Sequence, residues 1–168
     1  MVPKWFIALS LEINKISYAH FSACATAYAG VLYAVGLYYS ALVFFFTMVF
    51  VLGFVGFLKL TTRVERRPDC MVKLPHHNRA FPSGHSAAAA FVGTMVPYTI
   101  PFYSPVVLYI FSALLGLFVL TVALSRLALR AHTLFQVIAG IVIGVAVPLL
   151  AIYFIDPPLV EWVLGFWG

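Results

Sequence analysis

Three polar clusters interrupt an otherwise apolar chain: Lys59 with Arg66-Arg67-Pro68, then Pro82-Ser83-Gly84-His85, then Ser125-Arg126 followed by His132. Their side chains suit an anion. Arginine presents a planar fork of donors and lysine a compact charge. A serine hydroxyl donates, and a glycine at a helix start lets backbone N–H groups come close to a phosphate. The two histidines exchange protons near neutral pH. Together such residues can stabilise charge and move protons on a phosphoryl group, whose equatorial oxygens spread negative charge during transfer.

These clusters need elements to hold them, and the composition restricts what those elements are. Of 168 residues, 64% are hydrophobic and only 9% charged, against about 25% charged in an ordinary soluble domain. A soluble globule of this composition would expose a large apolar patch, so the chain reads as an integral membrane protein. Residues 16–58, 86–125 and 133–155 carry no Lys, Arg, Asp or Glu. A crossing takes about 20 apolar residues, so the runs hold two, two and one helices.

Gly36-Leu37-Tyr38-Tyr39-Ser40 and Pro101-Phe102-Tyr103-Ser104-Pro105 divide the paired runs, placing spans near 17–36, 40–60, 84–101, 105–125 and 132–154. Residues 1–15 are too short to cross and alternate Trp5, Phe6, Ile7, Leu9 and Leu11 with Glu12 and Lys15, as a helix lying in the interface does. Glu12 and the lack of a small-x-small cleavage site argue against a signal peptide. The expectation is one all-α unit over 1–168: an interfacial helix at 1–15 and a polytopic helical bundle of about five membrane spans over 16–168.

Parity then puts the segments 59–85 and 126–132 on one face, with the N-terminal segment beside them and the tail from Asp156 opposite. All ten Lys and Arg residues fall on that face. One explanation is topogenic, since basic loops stay cytoplasmic. The other is a basic pocket for an anion, above all the phosphate of a lipid whose tails stay in the bilayer.

In order and placement at helix ends, the three clusters resemble the motifs of the type-2 phosphatidic acid phosphatase superfamily, whose members include vanadium-dependent haloperoxidases. The resemblance covers residues 59–136 by motif and most of the chain by span arrangement. It implies that His132 attacks phosphorus to form a phosphohistidine and that His85 protonates the leaving oxygen, then activates water. Lys59, Arg67, Arg126, Ser83 and Gly84 would bind the phosphate, with no metal or other cofactor. Plausible substrates by resemblance are phospholipid or isoprenoid phosphates in the bilayer: the 1-phosphate of lipid A, undecaprenyl diphosphate or phosphatidylglycerol phosphate. No nucleic acid is implied as a partner.

Two departures from the family pattern stand out. Arg67 precedes Pro68 but lies one position further from Lys59 than usual, whereas Arg66 keeps the usual spacing, so both are candidates. The acid that normally follows the nucleophilic histidine by four positions is replaced by Gln136, which shares a helix face with His132. Its carbonyl can accept the Nδ1–H but cannot match a carboxylate in stabilising an imidazolium. Glu65 or Asp69 would have to assist, or turnover is weak. Alternatives are therefore lipid-to-lipid phosphotransfer by the same intermediate, or lipid binding without turnover.

Other residues take simpler readings. His20 reads as a packed residue, and His76-His77 with Cys70 match no common zinc spacing. Ala87–Ala90 with Gly93 suit close helix packing. Relatives acting on envelope lipids place the site near the outer face of the bacterial inner membrane, while the positive-inside rule points to the cytoplasm.

Overall fold

The computed structural model describes residues 2–15, 18–66, 68–72, 79–100 and 104–155. It contains α1 (Lys4–Lys15), α2 (Tyr18–Ala34), α3 (Tyr38–Thr62), α4 (Gly84–Thr99), α5 (Pro105–Ala128) and α6 (Leu134–Ile155). Among the described residues the β-type pairing is an isolated antiparallel bridge between Glu65 and Arg79. The expected all-α order is observed, with helix ends shifted by only a few residues. The expected break at Pro101-Phe102-Tyr103 and the tail from Asp156 lie outside the described residues.

The five expected spans differ in length. Tyr38–Thr62, Pro105–Ala128 and Leu134–Phe154 are long and apolar enough to cross a membrane, which marks a membrane protein. Helices α2 and α4 have 17 and 16 residues, short of the about 20 that 30 Å of hydrocarbon requires. Five expected crossings are thus three full-length helices and two short ones.

Local chemistry sets the short lengths. The α2 C-terminus closes through Leu37 N–H to Leu32 O at 2.9 Å and Gly36 N–H to Tyr33 O at 3.1 Å. Gly36 sits at φ +87°, where a Cβ would strain the backbone. Helix α4 starts directly after Pro82-Ser83 and ends at Thr99, before the extended Ile100. It also lies inside the bundle, packed on α3, α5 and α6, so neighbouring protein can surround termini that lipid could not.

The α4–α6 crossing is close because both faces are small. Ala87–Ala90 are buried on α4. A Cβ on Gly140 would collide with the Ser83 carbonyl, and one on Gly144 with the Ala87 carbonyl. These glycines form a small-xxx-small stripe that lets two backbones meet. Toward the other end of the bundle, Phe44 and Phe91 meet edge-on with centroids 5.0 Å apart, and Tyr28 meets Phe44 at 4.9 Å. Apolar side chains such as Phe46, Phe50, Tyr109, Leu117 and Phe135 stay exposed, as a lipid-facing surface requires.

Candidate active site

The loops before α4 and α6 are tied together at one end of the bundle. Met71 N–H donates to Leu129 O at 3.0 Å, Arg130 Nη1 to Asp69 Oδ2 at 2.9 Å, and Ser83 N–H to Gln136 O at 3.0 Å. The three motifs therefore share one face, as parity required. Helix α1 reaches the same end, where Arg126 donates to Asn14.

Two helix termini fix His132. The α5 C-terminus closes through Arg130 N–H to Leu127 O at 2.9 Å and Ala131 N–H to Arg126 O at 3.1 Å, with Arg130 left-handed at φ 52°. His132 N–H also reaches the Arg126 carbonyl, at 3.4 Å. On the other side Thr133 and Gln136 form a reciprocal capping box for α6. Thr133 N–H donates to Gln136 Oε1 at 3.0 Å, and Gln136 N–H to Thr133 Oγ1 at 3.4 Å. The spacing between Arg126 and His132 is thus one helix stop followed directly by one helix start.

This framework determines the tautomer of His132. Nδ1 faces two acceptors, the Ala80 carbonyl at 2.8 Å and Gln136 Oε1 at 3.3 Å. Neither carries a donor there, so Nδ1 bears the hydrogen and Nε2 keeps its lone pair. The side chain is 4% exposed. Burial first, then the charges of Arg66 and Lys59, push the imidazole from 6.5 down to about 3, and the bonds to Ala80 and Gln136 counter this only in part. His132 is neutral at physiological pH.

The acids expected to assist His132 are elsewhere. Asp69 pairs with Arg130, and Glu65 is exposed in its bridge to Arg79. The Ala80 carbonyl takes the shorter bond that an acid was expected to supply, because Ala80 is itself held by an N–H donated to Val64 O at 2.7 Å.

Around this histidine the structure gathers Arg66, Lys59 and Arg126. Arg66 lies close enough to repel the charge of each of the other three. Of the two arginine candidates, Arg66 is therefore in the cluster, whereas Arg67, Lys73, His76 and His77 lie outside the described residues. Arg66 Nε and Arg79 Nη1 are buried without a hydrogen-bond partner. Buried cationic donors are costly unless an anion completes them.

Ser83 and His85 are placed differently. Ser83 is fully buried and its hydroxyl shares a 2.9 Å hydrogen bond with Ser86, so its side chain braces the start of α4. Gly84 begins that helix, and its own N–H belongs to the unpaired first turn. His85 is half-buried and, with Gly84, lines a cavity of about 240 Å³. The remaining walls include Ile13, Phe21, Ala88, Val92 and Phe118, together with His20 and Cys24. His20 thus faces this cavity. Among the described residues no three His, Cys, Asp or Glu side chains gather as a metal ion would need.

Sequence reasoning missed several of these features. Thr133-x-x-Gln136 and Gly140-x-x-x-Gly144 carry readable signatures of a capping box and a close helix crossing. The Ala80 carbonyl and the buried Arg79 donor carry none.

No curated protein and no solved structure matches the chain. A family model does, over residues 40–157, and that stretch begins in α3 and contains every motif residue of the cluster together with the two glycines that seat α6 on α4. On that match the chain belongs to the PAP2 superfamily.

Proposed function

We propose that this protein is a membrane phosphatase that hydrolyses a terminal phosphate from a lipid phosphomonoester or diphosphate through a phosphohistidine. Superfamily membership supports phosphatase or phosphotransferase chemistry on phosphate esters. The observation that carries the reading is a neutral, buried histidine with Nε2 unprotonated, set among cations that include buried donors lacking partners.

In this mechanism Lys59, Arg66, Arg79 and Arg126 hold the phosphoryl oxygens, with N–H groups at the start of α4. Nε2 of His132 attacks phosphorus, the N–P bond forms, and the bond to the leaving oxygen breaks as His85 gives that oxygen its proton. His85, now neutral, takes a proton from water. That water attacks phosphorus, the N–P bond breaks, and phosphate leaves with His132 restored. The charge that develops on the imidazole is offset by the anionic phosphoryl group and by the Ala80 carbonyl.

The apolar cavity beside His85 supports a hydrocarbon leaving group. An apolar cavity of about 150 Å³ already takes up benzene, and this one is about 240 Å³. We place the chain in the bacterial inner membrane with the site near its outer face.

Phosphate release from lipid phosphomonoesters and diphosphates in detergent tests the reaction. Loss of release in His132→Ala supports it, and equal release from both proteins removes the proposed nucleophile. Label transferred to a second lipid would make the enzyme a phosphotransferase. For sidedness, Met71 is exposed in the site loop. A Met71→Cys chain with Cys24 and Cys70 replaced should react in intact cells with an impermeant maleimide, and protection from the reagent would place the site inside.

A further inference from the structure

The Arg126 side chain leaves the last turn of α5 yet is 1% exposed, and much of what buries it comes from the opposite end of the sequence. Nη1 donates to Asn14 Oδ1 at 2.9 Å and Nη2 to the Ser10 carbonyl at 3.5 Å, both on α1, while Nε donates to Ser125 Oγ at 3.1 Å. We infer that Asn14 is a positioning residue for Arg126, so that the N-terminal amphipathic helix is a working part of the phosphate site.

A guanidinium has five N–H groups. Three are held by Ser125, Asn14 and Ser10, which leaves one on each terminal nitrogen for a phosphate oxygen. The three bonds fix the fork of a long side chain that otherwise has about 2 kcal/mol of rotamer entropy to lose. Asn14 also stands in the final turn of α1, whose C-terminal dipole end favours a cation.

The residue type matters as much as the contact. A carboxylate at this position would hold the fork equally well but cancel the charge the phosphate needs. An amide oxygen orients Arg126 and leaves its charge intact. Helix α1 further supplies Ile13 to the cavity beside His85, so its docking touches both the phosphate-binding arginine and the proposed leaving-group pocket. Docking of α1 on α5 is thereby coupled to the geometry of the site.

The inference rests on the phosphate-site reading, and calorimetric titration of the full-length chain in detergent with inorganic phosphate separates the two. Asn14→Ala should weaken phosphate binding about tenfold, the effect of one hydrogen bond to a charged group. Asn14→Asp, which keeps the acceptor and the docking of α1, should also weaken it, which a merely structural role would not predict. In an Arg126→Ala background, adding Asn14→Ala should cost nothing further. Wild-type affinity in Asn14→Asp, affinity within twofold of wild type in Asn14→Ala, or an undiminished Asn14 effect without Arg126 would overturn the inference while leaving the phosphate site standing. A wild-type chain that takes up no phosphate would remove the site reading and this inference with it.

Discussion

Gln136→Glu is the most informative single change, because it restores the acid expected four positions after His132 without disturbing the local fold. Glutamate serves a capping box as well as glutamine, so the bond from Thr133 N–H to the side-chain oxygen at 3.0 Å is retained. What changes is charge. An anion then stands 3.3 Å from His132 Nδ1, and an opposite charge at such range raises a pKa by about 1–3 units, or about 1.4–4 kcal/mol. The His132 midpoint should therefore rise from about 3 to about 4–6, still below neutrality, so the attacking nitrogen stays unprotonated at pH 7.

The same charge would stabilise the imidazolium character that develops on phosphoryl transfer. The rate gain is bounded. In the serine-protease triad the acid-to-amide change costs about 10⁴ because it imposes the wrong tautomer, whereas here the Ala80 carbonyl already sets the tautomer at 2.8 Å. We expect kcat to rise about ten- to hundredfold, and the ¹³C-histidine NMR midpoint, assigned by its loss in His132→Asn, to move as stated. An unmoved midpoint would refute the placement of Gln136 against Nδ1. A risen midpoint with falling kcat would refute the assignment of His132 as nucleophile.

Other changes follow from the same geometry. In its folded state His132 titrates at about 3 against 6.5 unfolded, so its stability contribution is complete above 6.5 and is lost as pH falls toward 3. Between pH 6.5 and 5 this amounts to about 2 kcal/mol, and detergent-solubilised wild type should lose more on thermal melting at pH 5 than His132→Gln does. Gly144→Ala should destabilise by about 1–3 kcal/mol through overpacking against the Ala87 carbonyl, read as a fall in Tm with loss of phosphate release. Arg66→Ala should raise KM at least tenfold by removing a buried unpartnered donor, while Arg63→Ala at an exposed position should change it less than twofold; equal effects would reduce the cluster to surface charge.

The sequence showed the helices and the shared face because both rest on charge counting. A charge-free run reports its own burial in lipid, and parity carries that to topology without any side-chain detail. It placed the ends of α2 and α4 to within two residues, through Gly36 and Pro82-Ser83, but could not show the Ser83 turn packing on Gly140. It placed Gln136 on the His132 face but not Ala80 against the ring, because a backbone carbonyl has no residue type to read. Among the alternatives for the missing acid, assistance by Asp69 could not be judged from the sequence for a related reason. Loop acids have no periodicity, and here Asp69 is taken by Arg130. Arg66 could be placed beside Lys59, Arg126 and His132 only by seeing its charge act on theirs, and Arg67 lies outside the described residues.

Under the proposed mechanism, these positions also explain how the site would work without the motif acid. Several cations around a histidine are mutually repulsive, and they are compatible with a buried ring only if that ring stays neutral, as burial, Arg66 and Lys59 together enforce. A carboxylate beside Nδ1 would weaken that enforcement in the empty site. When a phosphate arrives, its charge offsets the cations and favours protonation-like character on the ring at the moment the N–P bond forms. Under the proposed mechanism the substrate's own anion would then do part of the missing acid's work in the loaded site. This predicts that bound inorganic phosphate raises the His132 midpoint in wild type, and by less in Arg66→Ala, where there is less cationic charge to offset.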